Sequence, residues 1–176
     1  MRNWRAMAMM CAALCTPRLA GKVMVFAGPG ADFSSYKTYQ WLPTRVLTKT
    51  GLVEDDPVLT PIIKAAVNRE LAARGLKEVA EGADLEVSTC AATTYVPQLE
   101  ALLFPTGYWW DYQVSPAPIG RYNREGAYAI NLIDVRRKKA AWTAIITQAI
   151  DNKPGAGAKK IPKATETLFK KYPVKK

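Results

Sequence analysis

Along residues 33–43 the chain reads Phe33-Ser34-Ser35-Tyr36-Lys37-Thr38-Tyr39-Gln40-Trp41-Leu42-Pro43. Taken as extended backbone, Phe33, Tyr39 and Trp41 share one face, with Tyr36, Thr38 and Gln40 on the other. Aromatic and β-branched residues suit a half-buried pleated surface. Pro43 ends the run because it has no N–H to give a ladder. The pattern predicts an early strand that plants large anchors in the core. Before it, residues 22–26 (KVMVF) predict a first strand and Gly28-Pro29-Gly30 a plain turn. Those glycines lack the strand, GxxxxGK(S/T) and helix setting of a phosphate cradle.

Glu54-Asp55-Asp56-Pro57 predicts a helix start, with acids at the positive end and proline in the first turn. Three clustered acids also suggest a metal or acid–base site, but a cap explains their place before a proline more simply. Leu59, Ile62, Ile63, Ala66, Val67 and Leu71 recur at helical spacing, and Gly75 supplies the stop. Pro61 fits poorly in a helix begun at Pro57, so Thr60 as cap with Pro61 first is the alternative start.

Residues 77–79 predict a short strand. Residues 84–90 predict a half-buried one, with Leu85, Val87 and Thr89 on one face. Residues 126–135 and 140–150 flank Arg136-Arg137-Lys138-Lys139, a hairpin with a cationic turn, and Trp142 is the expected core anchor. A connection over 152–158 leads to a second helix with Pro162 in its first turn. Ile161, Ala164, Leu168 and Tyr172 fall on one face, and Lys170 and Lys171 suit the negative end of the dipole.

The order β, β, α, β, β-hairpin, α specifies an α+β fold. One mixed or mainly antiparallel sheet carries two helices packed on a face, after an N-terminal signal-like segment. Between the strands, Pro105-Thr106-Gly107 and Pro116 bracket Tyr108, Trp109, Trp110 and Tyr112. These aromatics form either a binding or membrane-interface platform or a flap folded over the sheet, and both readings stay open.

Charge changes the picture more than composition does. With 176 residues, 49% hydrophobic and 23% charged, the chain is one ordinary domain's worth. The net charge of +10 is uneven. Residues 21–135 hold 10 basic and 13 acidic side chains, whereas 136–176 hold 12 basic against Asp151 and Glu166. Such a patch favours an anionic partner: nucleic acid, lipid headgroups or a polyanionic glycan. Histidine is absent, which removes Ser-His-Asp and Cys-His nucleophile activation and His metal ligation.

At the N-terminus, Arg2 and Arg5 precede an apolar run over 6–15, on the plan of a secretory signal. The run is far short of the ~20 apolar residues that span a bilayer. A buried N-terminal helix is the competing reading. Leader 1–20 and a single domain over 21–176 follow. Cys15 is the candidate for lipidation, although Leu14 stands where a lipoprotein signal has a small residue. Cys90 would then be the lone thiol of the body, read as a small buried hydrophobe.

Three segments together resemble a bacterial family catalogued as domain of unknown function 4136 (DUF4136). They are Asp32-Phe33 through Tyr36-Lys37-Thr38-Tyr39 to Trp41; Leu71-Ala72-Ala73-Arg74-Gly75-Leu76 with Ala83-Asp84-Leu85-Glu86-Val87-Ser88; and Gly126 through Ile130, Leu132, Asp134 and Trp142 to Lys170-Lys171-Tyr172-Pro173. The resemblance implies an exported, often lipid-anchored envelope protein with an α+β fold and no established activity.

The expected role is a non-enzymatic binding or scaffolding domain at the membrane or periplasm of a Gram-negative bacterium. An anionic membrane surface or envelope component is the expected partner, through Tyr108, Trp109, Trp110, Tyr112, Arg136, Arg137, Lys138 and Lys139. The alternative is a small-molecule or lipid carrier with a pocket between sheet and helices. No catalytic residue, cofactor or metal is expected. Nucleic acid is not an expected partner either, since export removes it.

Overall fold

A computed structural model describes residues 23–48, 50–92, 126–147 and 156–173. Their elements run β1 (Val23–Ala27), β2 (Thr38–Trp41), β3 (Arg45–Thr48), β4 (Gly51–Glu54), α1 (Leu59–Ala72), β5 (Lys77–Glu78), β6 (Leu85–Ala92), β7 (Tyr128–Asp134), β8 (Lys139–Ile146) and α2 (Ala156–Phe169). One sheet takes the order β1-β8-β7-β6-β2-β5, with β3 also on β6 and β4 on β3. β1, β8, β7 and β6 are antiparallel neighbours, while β2 and β3 run parallel to β6. The expected mixed sheet with two helices on one face is present.

The helix-side core joins Leu85, Val87, Tyr128, Ile130, Leu132 and Trp142 of the sheet to Ile63, Val67 and Leu71 of α1 and Ile161, Ala164 and Leu168 of α2. Each Val, Leu or Ile among them contributes roughly 1.5–3 kcal/mol of apolar burial. The helix faces therefore match their predicted spacing. Gly75, at φ 81, lets Leu76 N–H reach the Leu71 carbonyl (3.1 Å) and Gly75 N–H reach that of Ala72 (2.9 Å). This paired stop ends α1 where the sequence places it.

Several local expectations are corrected. Phe33 and Tyr36 precede β2 in a turn, so strand alternation does not govern them. Tyr36 points into the core beside Tyr39. A hairpin of β3 and β4, absent from the predicted order, occupies the stretch before α1. The acids there divide their work. Asp55 accepts Thr44 N–H (3.1 Å) and pins the hairpin, while Asp56 Oδ1 accepts Val58 and Leu59 N–H (2.9 and 2.8 Å). Because α1 starts at Leu59, Pro61 lies in its first turn, where a missing N–H costs little. Pro162 instead lies inside α2, whose start at Ala156 puts the proline past the first turn. It deprives the carbonyl of residue 158 of a partner. Lys170 and Lys171 come just beyond the end of α2 rather than within its last turn.

β6 is buried on both faces, not half-buried. Leu47, Cys90, Ala92, Ala129 and Ile145 form a second cluster on the side away from the helices, where Thr143 Oγ1 donates to Asn131 Oδ1 at 2.9 Å. Burial there pushes the Cys90 thiol up to about 12. The thiolate is the nucleophile, so native Cys90 should resist iodoacetamide at pH 8 and react in denaturant. Peptide mass mapping checks this; labelling at a free thiol's rate in the native protein would contradict it.

Pro43 also shifts the register. Trp41 pairs with Val87 and Arg45 with Cys90, so β2–β3 carries one residue more than β6 between those rungs. Tyr39 and Trp41 face the helices before the extra residue; Val46 faces them after it, and Leu47 turns to the second cluster.

Candidate functional site

One end of the sheet gathers most of the distinctive side chains. Its centre is the loop over residues 28–37. Asp32 Oδ1 accepts the Ser34 N–H (3.0 Å) and hydroxyl (2.6 Å), an Asx turn that sets up the loop. Asp84, just ahead of β6, accepts Lys37 N–H (2.9 Å), Thr38 N–H (3.1 Å) and the Thr38 hydroxyl (3.0 Å). The Lys37 N–H, more than any other influence, holds the Asp84 carboxyl below its ordinary range. Partial burial opposes it, and the Thr38 donors and the Arg136 charge assist. Asp134, at the end of β7, accepts the Tyr36 hydroxyl on Oδ2 (2.7 Å) and Arg137 N–H on Oδ1 (2.9 Å). Burial first, and Asp134 second, push the Tyr36 hydroxyl far above its usual range. Asp32, Asp84 and Asp134 thus serve as struts.

The predicted cationic hairpin lies beside this loop. Residues 135–138 link β7 to β8, with Lys138 at φ 52 closing the turn. Arg136, Arg137 and Lys138 are exposed, and Lys139 is half-buried as the first residue of β8. Arg137 Nη2 turns back to the Pro29 carbonyl at 2.6 Å. Gly30, at φ 69, leaves room for it, since a Cβ there would stand 3.3 Å from that nitrogen. Arg136 and Lys138 are therefore the hairpin cations left to face solvent. Tyr108, Trp109, Trp110, Tyr112 and Cys15 lie outside the described residues.

On its other flank the loop meets the helix ends. Phe33 packs edge-on against Tyr172, ring centroids 5.3 Å apart, and Tyr172 packs on Trp142 at 5.4 Å. Arg74, which sequence reasoning left without a role, ties the two helices together here. Its Nη1 donates to the Glu70 carbonyl (2.7 Å) and carboxylate (3.0 Å), and its Nη2 to the Phe169 carbonyl (2.7 Å). The guanidinium also lies over the Phe169 and Tyr172 rings, at 4.9 and 5.4 Å. The Glu70/Arg74 spacing was the available signal, an i,i+4 ion pair at a helix end.

Beside Arg74 a cleft of about 310 Å³ opens between the two helix ends and the loop. Phe33, Leu76, Phe169 and Tyr172 give it apolar walls, with Ala73 and Pro173 alongside and Arg74 and Lys170 at its edge. The Lys170 ammonium is exposed and sits 2.9 Å from Glu166. Burial pushes the Tyr172 hydroxyl up to about 12, against the pull of Arg74. Among the described residues, no group of three His, Cys, Asp or Glu side chains is placed to hold a metal ion. No helix among them is long and apolar enough to cross a membrane.

The model of a family described as Domain of unknown function (DUF4136) matches residues 27–174. Among solved structures, the chain is similar to a DUF4136 family protein from Bacteroides thetaiotaomicron. Identity is 15% and the TM-score 0.57, over 86% of this chain and 94% of that one. It is also similar to a PDZ domain protein from Parabacteroides distasonis, at 15% identity and a TM-score of 0.56. That match covers 88% of this chain and 36% of the other. Both are likenesses of fold. No curated protein matches the chain.

Proposed function

The chain belongs to the DUF4136 family, and from that footing we propose that it is a non-enzymatic binding domain of the bacterial cell envelope. It meets an anionic surface through the end of the sheet that bears the 135–138 hairpin. The observation that carries this reading is a convergence. The 28–37 loop is held by Arg137 on one flank and by Tyr172 on the other, so Arg136 and Lys138 share an end with Lys170 and Lys171. The carboxylates of that end favour the same reading. Asp84 and Asp134 each accept several of the chain's own donors, which makes them supports for the loop rather than acid–base groups.

Near an anionic membrane each basic residue contributes about 1 kcal/mol, screened over roughly 8–10 Å. Co-sedimentation with phosphatidylglycerol-containing vesicles should therefore be strong at low salt and weak at high salt. The double variant Arg136→Gln/Lys138→Gln removes two such contributions and should bind roughly thirtyfold more weakly. Arg137 is left in place because it holds Pro29. Equal binding to phosphatidylcholine and phosphatidylglycerol vesicles, or none to either, would remove the adhesive role.

A further inference from the structure

We infer that the cleft between the helix ends takes the hydrocarbon tail of a single-chain amphiphile with an anionic head, such as a medium-chain carboxylate. This goes beyond surface binding by the hairpin and does not require it. The volume, about 310 Å³, lies at the small end of ligand pockets. It has room for about ten units the size of a water molecule, which suits one alkyl chain and not two. Half-buried Phe33 and exposed Ala73 offer that chain its main apolar contact, with the largely buried Leu76, Phe169 and Tyr172 as the floor behind them.

The edge selects the sign of the head group. Arg74 is tied by three hydrogen bonds to Glu70 and the Phe169 carbonyl, so it closes the wall and contributes a fixed positive charge. Lys170 is the reader. Its side chain is 63% exposed, and its partner Glu166 is an exposed i,i+4 carboxylate. Pairs of that kind are weak and exchange readily for a better-placed anion. A cationic head would meet the like charges of Arg74 and Lys170 at the edge of the cleft.

The test is calorimetric titration of the full chain with decanoate below its micelle concentration, beside decanol as the neutral match. One decanoate should bind per chain. Decanol should bind more weakly. Ala73→Trp, at an exposed wall position, should fill the cleft and abolish saturable uptake. Ala73→Leu, which intrudes less and leaves the fold intact, should weaken it. Lys170→Gln should weaken uptake roughly tenfold through loss of one charge-assisted contact. The Arg136→Gln/Lys138→Gln protein should keep decanoate uptake, and Ala73→Trp should keep vesicle binding, which separates this inference from the surface reading. No saturable uptake, uptake indifferent to both Ala73 variants, or equal affinity for decanol would overturn it.

Discussion

Trp142→Ala should lower the unfolding free energy by about 3–5 kcal/mol, the cost of emptying the largest fully buried side chain on the helix side. Trp142 is fully buried and packs on Phe169 at 5.1 Å and Tyr172 at 5.4 Å, so truncation loosens the end of α2 as well as the sheet. Collapse into the space is hindered because Arg74 holds Phe169 through its carbonyl. Trp142→Phe should cost much less. The indole Nε1–H is buried and has no hydrogen-bond partner among the described residues, a burden of about 1–3 kcal/mol that phenylalanine does not carry. Urea denaturation of the three proteins, followed by circular dichroism, checks the ranking. A phenylalanine variant as unstable as the alanine one would mean that the indole N–H is paired after all.

Asp84→Ala should destabilise by about 2 kcal/mol, from three lost donors to a carboxylate that is only partly buried. It should also remove a specific acid dependence. The folded-state pKa of Asp84 lies below the ordinary value of 3.8. Its contribution is therefore fully present above that value and fades as pH falls through the lower folded-state pKa. The stability gap between wild type and Asp84→Asn should accordingly stay constant from pH 7 down to about 5 and narrow in stronger acid. Melts at stepped pH read this directly. A gap that widened in acid would reverse the assigned sign.

What could be read from sequence follows the range of the interaction. The spacing of Ile63, Val67 and Leu71, the stop at Gly75 and the hairpin around Arg136–Lys139 are set by neighbours in the chain, and all appear in the fold. The β3–β4 hairpin was missed because Val46-Leu47 and Leu52-Val53 are runs too short to show a period, beside a proline and a cluster of acids. The parallel pairing of Tyr39 with Leu85 joins residues far apart in the chain and has no local signature. Two-sided burial of β6 was hidden by Ser88, Thr89 and Cys90, small residues equally at home on either face.

The cleft was the least legible feature, since its wall comes from residue 33, residues 73–76 and residues 169–173. The resemblance nevertheless contained it. Phe33, Arg74 and Tyr172 belong to three separate recognised segments, and the fold brings them into contact.

The link between Trp41 and Arg45 acts as a measured spacer. Its three residues span a gap that β6 covers with two, and that single surplus residue decides whether Val46 or Leu47 meets the helices. Substitutions at Leu42 or Thr44 change side chains one at a time. An insertion or deletion there would exchange the two sides of everything that follows up to the β3–β4 turn. This stretch is therefore closed to drift in length, while its composition is constrained mainly at the fully buried Thr44.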